Sequence, residues 1–381
     1  MEGFVIMLGK SNKGITLVAL VITIVILLIL AGISISTLTN TGIFEKAKDV
    51  KKASENADLE QNKVLDEYEK ELDKYMPQEL TDDKINKVLN MTENTFLKDA
   101  NGNIFTLPAG FKVVVNDDTG NAKIVDKGIV IEDATVDNNG NPTATNGSQF
   151  VWIPVGTITK ENGEKVKIEF NRYVFYSNGN INPQNENIIE TYFSETASKG
   201  NKIAKSIENF KKSVEINGGY YIGRYEARKN SIDKITEVGT DVVWNNITQA
   251  NAATMAQTMY NNSNFISDLM NSYAWDTAVL FLQSCGTNSN YSRQPNLIDL
   301  LAQTGTNNLT DITKIDKQCN VFDMASNVRE WTTETSSLNN LPCTNRGGYY
   351  GSDNYTTNRY HNDELLMNDI IGFRPILYIN V

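Results

Sequence analysis

The chain has 381 residues, with 46 acidic and 35 basic side chains and a formal net charge of −11. This balance, without any Lys/Arg-rich run, argues against nucleic acid as a partner, because phosphate binding needs a basic face. One histidine, His361, excludes His-rich metal sites, and three cysteines without a CxxC pair allow at most one disulfide.

The length leaves room for two units. In chain order, residues 15–35 read ITLVALVITIVILLILAGISI, without a charge. At about 1.5 Å per residue this spans roughly 30 Å and predicts a transmembrane helix over 15–36. A cleavable secretory signal would have a shorter apolar core and a small-residue cleavage site after it. Residues 37–77 predict a charged helical stalk, with Val64, Tyr68, Leu72 and Tyr75 at helical spacing, Glu/Lys pairs on the other face, and Pro77 as the stop. From residue 78 to 147 the pattern changes to short β-branched and aromatic runs separated by Asp/Asn/Gly turns. Those turns lack the acid spacing of an EF-hand and predict hairpins.

The remaining stretch, 148–381, opens on FVWIPV. GGYYIGRYEARKN (218–230) predicts a strand, and NSYAWDTAVLFLQSCG (271–286) predicts a helix with apolar residues at 275, 278, 279 and 282. A long irregular region, the segment NVFDMASNVREWTTE (320–334), NRGGYYGSD (345–353) and IIGFRPILYI (370–379) follow. Irregular segments this long are uncommon unless they carry function or are held by bound ions.

Two resemblances attach to these motifs. SNKG-ITLVALV resembles the processing site of type IV prepilins and pseudopilins. This implies a leader 1–14 cut by a prepilin peptidase between Gly14 and Ile15, with Lys10 and Lys13 kept cytoplasmic. It further implies a single-pass bacterial membrane protein, contacting the membrane through 15–36, with an extracellular C-terminal domain and pilin-like subunits as partners. Ala19 stands where pilins carry Glu, a departure from the filament-forming pattern. The blocks FVWIPV, YYIGRYEAR, YAWDTAVLFL, FDMASNVREWT, NRGGYY and GFRPILY resemble the formylglycine-generating-enzyme (sulfatase-modifying-factor) domain. The fold class implied is α+β: a long N-terminal transmembrane and stalk helix, then a C-type-lectin-like domain with long irregular loops.

That family oxidises a substrate cysteine with a copper-binding cysteine pair between its RGG and GFR blocks. Here the interval from Tyr349 to Ile371 has no cysteine, while Cys285, Cys319 and Cys343 lie before it. The expectation is therefore no copper and no enzyme activity. His361 has Asp353, Asp363 and Glu364 nearby but no serine in a recognisable nucleophile elbow. The resemblance implies a structural Ca²⁺ held by the Asp323 and Glu330 side chains and the carbonyls of Ser326 and Val328. Hard oxygen ligands on a curved loop suit that ion. The alternative is a buried turn in which Asn327 caps backbone groups and Trp331 packs the core.

The interval after RGG is crowded with Tyr, Asn, Ser and Asp, the mixture that paratopes favour for rigid contact area and adaptable hydrogen bonds. Candidate ligand-binding residues are Tyr349, Tyr350, Ser352, Asp353, Asn354, Tyr355, Asn358, Tyr360, His361 and Asn362. Some lectin-fold relatives are varied by diversity-generating retroelements in this stretch. The leading reading is a non-catalytic cell-surface display protein that binds a protein or carbohydrate. A structural minor pilin or pseudopilin, of a type IV pilus or type II secretion-like filament, is the alternative. An enzyme of altered chemistry is the third.

Overall fold

The computed structural model describes residues 20–27, 43–137, 142–175, 181–183, 193–228, 243–294, 316–338, 340–351 and 355–381. The chain divides into two units, Met1–Leu72 and Asp73–Val381. In the first, α1 (Ile43–Tyr75) is a 33-residue helix rich in Glu and Lys that stops two residues before Pro77. Proline cannot donate to the ladder, and it pushes the preceding residue out of helical conformation.

The expected membrane helix, and with it one continuous membrane-and-stalk helix, is corrected. Among the described residues no helix is long and apolar enough to cross a membrane. Of the apolar run, residues 20–27 are described and helical. The leader, the Gly14–Ile15 bond and Ala19 lie outside the described residues. The expected single-pass placement in a bacterial membrane, with an extracellular C-terminal domain, thus has no spanning helix among the described residues to support it.

The second unit is rich in sheet, which replaces the expected loop-dominated α+β domain. Its main strands are β1 (Phe111–Val113), β2 (Val130–Val136), β3 (Pro142–Pro154), β4 (Phe193–Ser194), β5 (Gly219–Gly223), β6 (Phe265–Leu269), β7 (Arg329–Ser336), β8 (Cys343–Arg346), β9 (Arg359–Asn362), β10 (Ile371–Phe373) and β11 (Pro375–Ile379). Among the described residues three helices accompany them: α2 (Ile207–Asn217), α3 (Gln249–Thr258) and α4 (Ser272–Cys285). A six-stranded sheet runs β6-β11-β5-β3-β2-β1, so strands from 78–147 and from 148–381 share one sheet. A five-stranded sheet runs β4-β7-β8-β9, with β10 alongside β7. Four smaller sheets of two or three strands complete the set.

The central strands β5 and β11 are buried at every position. That explains why GGYYIG and PILYI read as unbroken apolar runs rather than alternating ones. The edge strands rest on aromatic packing: Phe111 meets Phe150, Tyr260 and Phe265 edge-on, with ring centroids 5.5–6.2 Å apart. On the other side Phe210 of α2 meets Tyr220 and Tyr378, both at 5.2 Å. Burying such a ring contributes about 1.5–3 kcal/mol, and these clusters hold the helices to the sheet.

Local capping sets the helix ends. Ser206 accepts from the Asn209 N–H to start α2, and Gly218, left-handed at φ 69°, returns its N–H to Val214 and turns the chain into β5. Asn271 accepts from the Ala274 N–H to start α4. The buried face of α4 includes Trp275, Ala278, Val279 and Leu282, the positions expected from periodicity.

Candidate functional site

The segment after Asp316 makes two tight bends. Cys319, Asn320, Asp323 and Asn327 all have positive φ, a conformation that Asn and Asp tolerate better than other non-glycine residues. The bends aim a series of acids inward. Asp316 accepts from the Ala325 N–H at 2.8 Å and from the Tyr291 hydroxyl at 2.7 Å. Glu226, arriving after β5, accepts from the Asn327 amide and from the Val328 N–H. Glu330 faces Arg374, whose Nε and Nη2 donate to it at 2.7–3.1 Å. The same guanidinium donates to the carbonyls of Gly223 and Phe322, so one buried arginine ties β5, β7 and the bend together. Burial, then the charges of Asp323 and Glu330, push the Glu226 carboxyl well above its usual range.

This arrangement does not fit calcium at Glu330. Both carboxylate oxygens accept from the Arg374 guanidinium, so a divalent cation there would stand beside a like charge. Asp323 and Ser326 are buried beside it, as is Val328. Trp331 is buried and donates to the Ile247 carbonyl at 2.8 Å, the packing role expected of the turn.

A second buried network carries the RGG block. Arg346 donates to Asp276 of α4 at 2.6 Å and lies 3.7 Å from Glu334, while Arg359 on β9 reaches the same two acids. Two arginines thus balance two carboxylates inside the protein, fixing β8 and β9 against α4 and β7. Gly347 follows at φ 84°, where a Cβ would come 2.7 Å from the Met324 carbonyl oxygen. Only glycine passes there without displacing the bend.

Beyond this scaffold the chain carries the tyrosines. Tyr349 and Tyr350 meet edge-on at 6.0 Å, and the Tyr350 hydroxyl lies 3.3 Å from an Asp369 oxygen. The guanidinium of Arg329 stands 4.5 Å from the Tyr349 ring centre and 3.5 Å from that of Tyr360. Arg293 stands 4.0 Å over Tyr355. Asn358 accepts from Gly347 N–H and Arg346 Nε through its carbonyl, and its amide donates to the Tyr360 hydroxyl at 3.2 Å. All these tyrosines are half-buried.

The candidate residues therefore do not form one patch. Arg359 and His361 both meet the Phe193 ring, while Tyr360 lies between them in a strand whose side chains alternate. His361 and Tyr360 consequently face opposite sides of the sheet, and Asn362 pairs with Cys343 at the far end of β9. Ser352, Asp353 and Asn354 lie outside the described residues. Sequence reasoning overlooked Arg329 and Arg293 as site residues.

The thiols are poor nucleophiles. All three cysteines are free, and burial pushes Cys285 and Cys343 up to about 12 and Cys319 well above its ordinary value. The Nδ1 of His361 is buried and makes no hydrogen bond, so no described group orients the ring as a base.

No family model matches the chain, and no curated protein is similar to it. The resemblances to prepilins and to the sulfatase-modifying-factor domain are thus without support from these comparisons, and the membrane, pilin and modifying-factor assignments are corrected accordingly. Among solved structures the chain is similar to Treponema denticola variable protein 1, at 10% identity and a TM-score of 0.34, over 60% of this chain and 95% of that one.

Proposed function

We propose that this chain is a non-catalytic ligand-binding protein. Its contact surface is a strip formed by Tyr349, Tyr350, Tyr355 and Tyr360, together with Arg329 and Arg293. The observation that carries the reading is the state of the tyrosines: Tyr349, Tyr355 and Tyr360 are half-buried and stacked on arginines instead of lying in the core. Rings held in this way offer large amphipathic area at little entropic cost on binding. The buried Arg346–Asp276–Glu334 network beneath them supplies a fixed base. The protonated thiols and unsupported His361 favour binding over group transfer.

The test uses the full chain against a glycan array and a phage-displayed random-peptide library. Truncating an interface aromatic can cost about 2 kcal/mol or more of binding, whereas surface changes usually alter stability by about 0.5 kcal/mol. Tyr349→Ala with Tyr360→Ala should therefore abolish recovery of binders while leaving a cooperative melt near the original midpoint. Recovery unchanged in the double variant would overturn the strip as the contact surface. Loss of folding would place those rings in the core.

A further inference from the structure

We infer that the strip takes an extended peptide segment bearing carboxylates, with Arg329 as the receptor for one of them and Arg293 for a second. This rests on the ligand-binding reading above and names its ligand class. Four of the other arginines in this acidic protein have a carboxylate partner. Arg224 is paired with Asp118 at 2.7 Å, Arg346 with Asp276 at 2.6 Å, Arg359 with Glu334 at 3.2 Å and Arg374 with Glu330 at 2.7 Å. In a chain carrying 46 acidic side chains such partners are easily supplied. Arg329 forms no ion pair with any described residue; its side chain hydrogen-bonds Tyr360, and its Nε is buried without a hydrogen bond. Arg293 likewise has a tyrosine ring and no carboxylate among the described residues.

An aromatic ring face compensates a guanidinium only in part, and here it leaves the Nε edge without a partner. A carboxylate matches that edge with two parallel N–H···O bonds, and it would do so in partial exclusion from water, where charge-assisted bonds are strongest. Burial already holds the Arg329 guanidinium below its ordinary pKa, as expected of a charge desolvated without a counter-ion.

The peptide assignment comes from the sheet. β9 is the terminal strand of the five-stranded sheet, and its four residues are half-buried. Backbone groups on its outer side have no strand partner among the described residues, which makes it a place for strand addition. Arg329 starts two strands inward, on β7, yet its guanidinium comes over the Tyr360 ring on β9, bringing the charge to the open edge. Arg293 stands at the entry to the same strand. The turn before β9 is stitched to its segment by Thr356 and Thr357, whose hydroxyls donate to the carbonyls of Tyr291 and Ser292 at 2.9 Å.

Peptides recovered on the full chain from the random library should be enriched in Asp and Glu. A synthetic copy of the enriched peptide should lose at least about tenfold in affinity when its acids become Asn and Gln, as expected for charge-assisted bonds. Arg329→Gln should lose a similar factor with an unchanged melting midpoint. Arg329→Lys should recover only part of it, because an ammonium lacks the planar fork. Arg293→Gln provides a second, independent variant. Recovered peptides without acidic enrichment, or acidic peptides bound equally by both Gln variants, would overturn the inference and leave the ligand-binding reading standing. Binding confined to uronic-acid glycans and lost in Arg329→Gln would overturn the peptide assignment. No strip-dependent binding in any arm would overturn both.

Discussion

Arginine and acid residues in this protein show how burial assigns work to single side chains. Glu330 and Arg374 neutralise one another in the interior, so a position that resembles a calcium ligand becomes a brace between strands. Asp268 on β6 is a different case. It accepts from Gln257 at 2.8 Å, the Lys205 N–H at 2.7 Å and the Leu269 N–H at 2.8 Å, yet burial still raises it from 3.8 to about 6. The folded state therefore holds a proton that the unfolded chain has released between those values. The unfolding free energy attributable to this group falls as pH rises from 3.8 to about 6 and is flat outside that window. Denaturant melts of wild type and Asp268→Asn should show it: the stability of wild type relative to the variant declines across the window. A difference independent of pH would contradict this assignment.

At the scale of elements, β7 distributes three consecutive residues to three tasks. Arg329 goes to the tyrosines, Glu330 to Arg374 and Trp331 to the core. Strand alternation sets Glu330 on the face opposite Arg329 and Trp331. β8 then ends at Arg346, and Gly347 must turn the chain towards the strip past the Met324 carbonyl. Gly347→Ala combines a strained positive φ, about 1–2 kcal/mol for an L-residue, with a close backbone contact. A fall in the thermal midpoint, accompanied by weakened binding through displaced Tyr349, is expected. A variant that melts and binds as wild type would show that the bend relaxes freely.

For the whole molecule, the hydrophobic core and all described sheets lie after residue 73. A chain beginning at Asp73 should therefore melt in one cooperative transition with a midpoint close to that of the full chain, as followed by calorimetry. A markedly lower midpoint would mean that the first 72 residues contribute to the stability of the second unit.

Much of this molecule is legible without coordinates, and the reason is locality. The helix at Ser272–Cys285, its Asn cap, the buried runs of β3, β5 and β11 and the helix of residues 43–75 depend on spacing and turn chemistry within a few residues. The tyrosine-rich interval was visible as composition. The membrane helix was misjudged because hydropathy over 15–36 was read as a spanning segment, whereas no described helix is long and apolar enough to cross a bilayer. Pairing across the chain was not legible at all. Glu330 meets Arg374 across 44 residues and Arg346 meets Asp276 across 70, and in each case several acids in the sequence could have served. Which acid meets which arginine, and that Arg329 meets Tyr349 and Tyr360, depends on the register of β7, β8 and β9 and on the docking of α4. The sequence by itself determined the local elements and the acidic balance. Only the tertiary structure decided which acid cancels which arginine, because ion pairing is set by distance in space and not by distance along the chain.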